Sequence, residues 1–397
     1  VLFRVPGPGD VYKGPSVYRL DPKLGRCVLA THVDDGIGGA SCQELIDWVY
    51  AEIIKRGFKF SQRGRWSTVL GFGVKRDRRN RTVTITAGGH IRNLVRDHLA
   101  SEVAANLNPA SPTNDSIMCL PTCPVESPEE IAANVGWRSE ARALKGALIH
   151  IAQIHPAVQN GTSRCCQYMA MPTRESHAAA KRILAWLSHR EELGVTFGAP
   201  HLKRLEDLLP PRHDVEPMSA ERDDSFYCVV DSDLPGGKLE PKTDAQERER
   251  PGPGDPSTHR AQLGYGMMIA GACFDSASRR QHSTAVDTAA AELFAASSAA
   301  ALICHLTGVV CFLFFGVLGT QAVRLWCDNA AAVMVTKDAT SIKRLAYIAR
   351  RIRFMQELQV RGVIFILDID GKANPADALT KHCAPKALCH TYMAHLY

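Results

Sequence analysis

The order of apolar segments after residue 225 constrains the fold of this chain more than any other feature of its sequence. Strand-like segments begin with FYCVV and continue with LGYGMMIAGACF and RQHSTAV. An alanine-rich helix, the strand AVRLWCD, two helical segments, the strand VIFILDID and a last helix opening at NPADALTK follow in that order. Short apolar runs indicate strands, and apolar residues three or four apart indicate helices. The order therefore predicts a mixed α/β sheet flanked by helices.

Four acidic residues lie where these strands end or these helices begin: Asp231, Glu292, Asp328 and Asp377. Carboxylates that converge in a fold repel one another and titrate together unless a cation lies between them. Mg²⁺ prefers oxygen ligands and helps to bind phosphate groups. A carboxylate cage with two such ions can cleave a phosphodiester by in-line displacement. The pattern therefore predicts a nuclease that uses two metal ions.

Three of these residues also have a purely structural interpretation. Asp231 could simply precede a turn, and Asp233 competes with it for the role of ligand. Glu292 could be an ordinary acidic residue near a helix N-terminus, where the helix dipole favours it. Asp328 could be the N-cap of the helix that follows it, and it can cap and bind metal only through different oxygens.

The fourth acidic residue has competitors nearby. Asp377 follows Pro375, and both residues are typical of a first helical turn. Asp368 and Asp370 lie two apart on the expected last strand, so they would share one face of it. Asp368 and Asp370 are therefore the alternative ligands if Asp377 is structural.

The chain of 397 residues is long enough for two or three domains. Segments 16–31 and 66–88 are typical of β-hairpins, and segments 42–57 and 90–107 of amphipathic helices. Segment 129–195 is typical of helices, and a charged, proline-rich connector follows it. We expect a multidomain protein of the α/β and α+β classes with three regions: 1–107, a mostly helical connection and linker at 108–215, and 216–397.

Composition adds weaker constraints. The net charge of +6 is compatible with a nucleic-acid partner. The 13 cysteines show no regular spacing, which is typical of a reduced, intracellular protein. The apolar run 299–319 is long enough to span a bilayer. Because it contains His305, Thr307 and glycines, we interpret it as a buried helix that breaks near Gly308, with a membrane span as the alternative.

A series of segments resembles, in order, the C-terminal part of a copia-type retrotransposon Pol polyprotein. The first two are similar to the family's reverse transcriptase YVDD box and the LG-containing hairpin after it: THVDDGIGG and VLGFGVKRD. Two more resemble its connecting helices: WRSEARALKGALIHIAQIHP and HAAAKRILAWL. The last four resemble successive blocks of its RNase H domain: VVDSD, QHSTAVDTAAAELFAAS, LWCDNAAAV and NPADALTK. The resemblance covers nearly the whole chain.

The resemblance implies a specific activity. Residues 216–397 would form an RNase H-like domain in which Asp231, Glu292, Asp328 and Asp377 bind two Mg²⁺ ions, with Mn²⁺ as a possible substitute. The domain would hydrolyse the RNA strand of RNA–DNA hybrids. Its partners would be the hybrid, an RNA template, DNA and the remainder of the polyprotein, with no membrane. The implied location is intracellular, in a cytoplasmic virus-like particle, in the nucleus, or both.

The resemblance also implies a partial polymerase. Region 1–107 would be the end of a reverse transcriptase palm with thumb-like helices, and Asp34 and Asp35 would be catalytic metal ligands at a hairpin tip. A solvated Asp-Asp-Gly turn is the alternative. His32 stands where the family has an aromatic residue, and 33 residues precede the Asp pair. Neither the family's upstream metal-binding Asp nor its fingers fits there, so we expect no polymerisation by this chain alone.

Basic residues could contact the phosphates of a hybrid or form ordinary solvated faces. The candidates on the helix predicted at 341–359 are Lys343, Arg344, Arg350, Arg351 and Arg353. Those in the turn after the LG strand are Arg78, Arg79 and Arg81. A nucleic-acid-binding remnant of a retroelement that has lost catalysis is the alternative to an active nuclease.

Overall fold

The computed structural model describes residues 17–19, 26–32, 35–57, 59, 64, 67–99, 107–118, 120, 127–198, 226–234, 260–310, 322–337, 345–382 and 397. By its internal packing the chain divides into two compact units. One comprises Val1–Leu70 and His305–Thr320, and the other Gly71–Cys304 and Gln321–Tyr397. The three predicted regions, with boundaries at 107 and 215, stay a prediction.

The first unit contains an antiparallel sheet. Its strands are β1 (Val17–Arg19), β2 (Arg26–His32) and β3 (Asp35–Ala40), paired in that order. The hairpin expected at 16–31 is therefore confirmed. Helix α1 (Gln43–Lys55) follows, and a short strand, β4 (Thr68–Val69), comes after it. The only core cluster formed by the described residues of this unit is small and centres on Leu45 of α1.

The second unit contains a layer of helices with a small antiparallel sheet. The sheet pairs β5 (Phe72–Asp77), β6 (Thr82–Thr86) and β7 (Gly194–Phe197) in sequence order. The helices are α2 (Gly88–His98), α3 (Asp115–Met118), α4 (Pro128–Ala133), α5 (Val135–Ala152), α6 (Gln159–Cys166) and α7 (Arg174–Ser188). The mostly helical character expected for 129–195 is confirmed, and the connector predicted at 200–224 lies outside the described residues.

A five-stranded mixed sheet carries the candidate site. Its strands are β8 (Tyr227–Asp233), β9 (Gln262–Ile269), β10 (Ala272–Arg280), β11 (Val323–Cys327) and β12 (Ile364–Asp368). The spatial order is β10-β9-β8-β11-β12. Strands β10, β9 and β8 pair antiparallel, whereas β8, β11 and β12 run parallel. The predicted mixed α/β fold is confirmed at this level.

One predicted strand is in fact a hairpin. The segment LGYGMMIAGACF folds back between β9 and β10, because Ala270 and Gly271 adopt φ values of 49° and 78°. Two successive residues with positive φ are the backbone of a tight hairpin turn. The strand expected at RQHSTAV is wrong, since β10 ends at Arg280 and 281–287 contain no strand.

The helices of this part of the chain are α8 (Thr288–Val310), α9 (Ala330–Lys337) and α10 (Ala349–Val360). Helix α8 continues through Gly308, so the break expected there is wrong. Its window Thr288–Thr307 is apolar and long enough to cross a membrane, but 61% of that window is buried inside the protein. Buried alanines of α8 pack against the mixed sheet, as expected for a core helix.

The segment after β12 forms two short 3₁₀ helices, Gly371–Ala373 and Pro375–Leu379. We expected a helix to begin at NPADALTK. In the part of this segment that the structure describes, the residues form a short 3₁₀ helix instead. Asp368 ends β12, whereas Asp370 lies beyond it and caps the first turn by accepting from the backbone N–H of Lys372 at 2.9 Å. The expectation that Asp368 and Asp370 share one strand face is therefore wrong.

Candidate metal centre

Four acidic side chains from four different elements converge at one edge of the mixed sheet. Their potential ligand atoms form two groups, and within each group all the atoms lie within 4.8 Å of one another. One group is Asp231, Asp328 and Asp377, and the other is Glu292, Cys327 and Asp328. Because Asp328 belongs to both, the two groups form one continuous acidic cluster, which we call the acidic cage.

Asp231 lies on β8 and is the most deeply buried member of the cage. Its side chain is 1% exposed. Gly264 of β9 stands directly opposite it in the antiparallel pairing. A Cβ on Gly264 would lie 2.7 Å from the Cβ of Leu379 and 2.8 Å from the Cγ2 of Thr380. The missing side chain therefore allows the 375–380 segment to pack against β9 beside Asp231.

Glu292 approaches the cage from α8. Its Oε1 accepts a 2.9 Å hydrogen bond from the backbone N–H of Ser232, and its Oε2 lies 3.6 Å from the thiol of Cys327. Burial, with the neighbouring charges of Asp231 and Asp328, raises the pKa of Glu292 to about 9. Without a cation this carboxyl is therefore protonated at neutral pH, as expected for clustered buried acids.

Asp328 follows the end of β11. The adjacent Asn329, and not Asp328, caps helix α9, because its side chain accepts from the backbone N–H of Ala332 at 3.0 Å. The N-cap interpretation of Asp328 is therefore wrong. Burial, with repulsion from Asp231 and Asp377 that Lys381 partly offsets, raises the pKa of Asp328 to about 6.

Asp377 is held in place by the turn that carries it. Asn374 is fully buried, and its side chain donates to the carbonyl of Val230 at 2.8 Å while accepting from the N–H of Ala376 at 3.0 Å. This side chain therefore anchors the 3₁₀ turn to β8, the strand that carries Asp231. The distance between the carboxylates of Asp231 and Asp377 therefore depends on the hydrogen bonds of Asn374.

Two functional candidates, Thr380 and Lys381, are absent from the sequence interpretation. The hydroxyl of Thr380 donates to Asp231 Oδ2. The ammonium group of Lys381 lies 3.1 Å from Asp231 Oδ1 and 2.7 Å from Asp377 Oδ1. Partial burial lowers the pKa of Lys381, but Asp231 and Asp377 raise it by more, to well above its ordinary value. The four-residue spacing from Asp377 to Lys381 is the signal that could have revealed the ion pair.

Helix α6 contacts the segment that carries Thr380 and Lys381. The side chain of Asn160 donates to the carbonyl of Lys381 at 2.9 Å, and Arg164 donates to the carbonyl of Thr380 at 3.2 Å. Arg164 also lies 3.5 Å from Asp233. The helices of 127–198 therefore help to fix the two residues that contact Asp231.

The competing acidic residues lie elsewhere. Asp233 faces Arg164, Asp370 caps a turn, and neither they nor Asp368 belong to a ligand group among the described residues. Asp35 begins β3 opposite His32, at the end of a hairpin, whereas Asp34 lies outside the described residues. The metal-binding roles of Asp34 and Asp35 stay predictions.

The basic candidates fall into three groups. Lys343 and Arg344 lie outside the described residues. Arg351 donates to the Ser297 hydroxyl at 2.9 Å and lies over the Phe294 ring, so its guanidinium packs against α8. Five others are exposed: Arg350 and Arg353 on α10, and Arg78, Arg79 and Arg81 in the β5–β6 turn. Contact of these five with phosphates stays a prediction.

Asn374→Ala should destabilise the protein more than the same change at Asn329. Asn374→Ala removes two buried hydrogen bonds and leaves the carbonyl of Val230 without that donor, at a cost of about 2–3 kcal/mol. Asn329→Ala removes one helix cap, worth about 1 kcal/mol. Urea denaturation of the full chain measures both free energies of unfolding. A loss at Asn374 no larger than that at Asn329 would contradict the anchoring role.

No model of a known protein family matches the chain, and a search of curated proteins finds no match either. The function must therefore be inferred from the residues and their geometry.

Proposed function

We propose that this chain hydrolyses the RNA strand of RNA–DNA hybrids with divalent metal ions held in the acidic cage. The observation that carries the proposal is the convergence of Asp231, Glu292, Asp328 and Asp377 from β8, α8, β11 and the 3₁₀ turn. These are the four residues that the resemblance to copia-type RNase H domains implies. Four carboxylates brought this close are costly to a fold unless a cation neutralises them.

The residues present suit a hard divalent ion. Asp231, Asp328 and Asp377 offer only carboxylate oxygens, the ligands that Mg²⁺ and Mn²⁺ prefer. Glu292 and Asp328 offer a second set, in which Cys327 is a softer neighbour. The raised pKa values of Glu292 and Asp328 are a further sign that the cage needs positive charge. Mg²⁺ would be held by Asp231, Asp328 and Asp377, with Glu292 and Asp328 facing a second ion.

The side chains of the cage have distinct tasks in this proposal. Asp328, shared by both ligand groups, fixes their separation. Thr380 orients Asp231 by donating to its Oδ2. The N–H of Ser232 holds Glu292 towards the cage. When bound, the two ions would activate a water and stabilise the leaving 3′ oxygen. Selectivity for RNA would come from its 2′-hydroxyls, read across the wide minor groove of the hybrid.

The architecture supports the same proposal. A five-stranded mixed sheet flanked by helices is compatible with the RNase H-like domain proposed for 216–397. The hairpin of β2 and β3 is compatible with the end of a reverse transcriptase palm, part of a longer Pol polyprotein. Its partners in this proposal are the hybrid, an RNA template, DNA and the remainder of that polyprotein, in an intracellular particle or the nucleus.

The direct test is cleavage of an end-labelled RNA–DNA hybrid by the full chain. The full chain is needed because Asn160 and Arg164 support the cage from outside 216–397. We expect cutting of the RNA strand with Mg²⁺ or Mn²⁺, none with EDTA, and none of the DNA strand or of duplex DNA. Cutting that persists in EDTA would contradict the proposal. Cutting of the DNA strand or of duplex DNA at a rate similar to that of the RNA strand would also contradict it.

The second candidate is a non-catalytic nucleic-acid-binding protein. One observation favours it: the ammonium group of Lys381 pairs with Asp231 and Asp377 and so neutralises part of the negative charge of the cage. In that case the folded chain would bind the hybrid, with an affinity that falls as salt rises, and would cut neither strand.

A further inference from the structure

Lys381 occupies the part of the acidic cage that a metal ion would need. Its ammonium nitrogen lies 3.1 Å from Asp231 Oδ1 and 2.7 Å from Asp377 Oδ1. Asp231 and Asp377 are two of the three members of the all-carboxylate ligand group. Mg²⁺ binds carboxylate oxygens at about 2.0–2.1 Å. An ion at that distance from the same two oxygens would overlap with the ammonium group.

The surroundings of Lys381 allow it to leave. Its side chain is 41% exposed, whereas that of Asp231 is 1% exposed and that of Asp377 19%. The lysine stem is flexible, with a compact charge at its end. The carboxylates are held by β8 and by the Asn374-anchored turn, and the side chain of Asn160 binds the backbone carbonyl of Lys381. The ammonium group can therefore swing towards solvent while the cage keeps its shape.

We infer that Lys381 is a resident counter-ion that competes with the divalent metal for Asp231 and Asp377 and thereby sets the metal affinity of the cage. The inference rests on the proposed metal-binding function of these carboxylates. In the metal-free protein Lys381 relieves their repulsion, and metal binding expels it. The cage thus exchanges one positive charge for two.

Mn²⁺ binding to the full chain without nucleic acid tests this inference. The electron paramagnetic resonance signal of free Mn²⁺ gives the dissociation constant directly. Lys381→Met removes the charge and keeps an apolar stem, so Mn²⁺ should bind at least about tenfold more tightly, since a unit charge is lost next to the ligands. Lys381→Gln, which can still donate to both carboxylates, provides a second neutral variant. Lys381→Arg keeps the charge and should stay close to the wild type.

Lys372→Met is the matched control. Lys372 is exposed on the neighbouring 3₁₀ turn, so the change removes the same charge from a solvent-screened position. Its Mn²⁺ affinity should stay within about twofold of the wild type, because salt screens exposed charges. Circular dichroism verifies that each variant is folded, and Mn²⁺ should raise the Tm of Lys381→Met by more than that of the wild type.

The outcomes separate this inference from the proposed function. Equal Mn²⁺ affinity of folded wild type, Lys381→Met and Lys381→Gln would overturn the counter-ion role and leave the metal cage standing. The same gain in Lys372→Met as in Lys381→Met would also overturn it, as an effect of net charge alone. No Mn²⁺ bound at the cage by any folded variant would overturn the metal-binding function itself.

Discussion

Asp328→Asn should reduce RNA-strand cleavage by the full chain by more than about 100-fold, since losing even an outer partner of a metal ligand costs about 10–100-fold. Asp328 is the one residue shared by both ligand groups, so its loss would disturb both of the proposed ion sites. Asparagine has nearly the same shape and keeps one oxygen, but it carries no charge. The measurement is the initial rate of cutting of a labelled hybrid in Mg²⁺.

The fold should survive this change. Asp328 has a pKa raised to about 6 by burial and by its acidic neighbours, so its ionised form is a strain on the metal-free protein. The metal-free variant should therefore unfold at the same temperature as the wild type or higher. Glu292→Gln should behave alike, because an amide oxygen can still accept from the N–H of Ser232. Retained activity in either folded variant would contradict the site assignment.

The metal-free protein should lose stability as the pH rises from about 5 to about 9. The pKa of Glu292 is raised from 4.5 to about 9 and that of Asp328 from 3.8 to about 6. The folded state therefore holds these protons more tightly than the unfolded state. The resulting stability is fully present below the ordinary carboxyl pKa values and is lost as the pH rises through the raised ones. Each pKa unit corresponds to about 1.4 kcal/mol.

Thermal unfolding in EDTA across this pH range measures the effect. Other groups titrate in the same range, so the informative quantity is the difference in Tm between the wild type and Glu292→Gln. The Tm of the variant should exceed that of the wild type by several degrees near pH 9, at about 2–4 °C for each kcal/mol. Saturating Mg²⁺ should remove most of the difference. If the Tm of the two proteins in EDTA changed with pH in parallel, this would contradict the raised pKa of the buried Glu292 carboxyl.

Residue patterns predicted much of the sheet and the four clustered acids. Asp231 and Asp328 follow apolar runs that form the adjacent parallel strands β8 and β11, whose ends meet at one edge. Glu292 lies on a helix whose small residues pack against that sheet. Such local patterns predict where strands and helices begin and end. Parallel pairing of neighbouring strands then brings their carboxyl ends together. The metal-binding role of the cluster stays a prediction.

The remaining features depend on contacts between distant parts of the chain. Asn160 and Arg164 contact the carbonyls of Lys381 and Thr380 across more than 200 residues, and nothing in their local sequence indicates those partners. The local sequence does not indicate the turn between β9 and β10, because alanine, unlike glycine, rarely adopts the positive φ that Ala270 has here. A hydrogen bond from a side chain to a backbone carbonyl far away in the sequence leaves no periodic pattern in a single sequence.

The most direct test of the central claim is to locate Mn²⁺ in crystals of the full chain by its anomalous scattering. The account predicts a peak bounded by Asp231, Asp328 and Asp377, with the ammonium group of Lys381 displaced from both carboxylates. A second peak should lie between Glu292 and Asp328. Mn²⁺ bound elsewhere, with Lys381 still paired to Asp231 and Asp377 at saturating metal, would contradict the account.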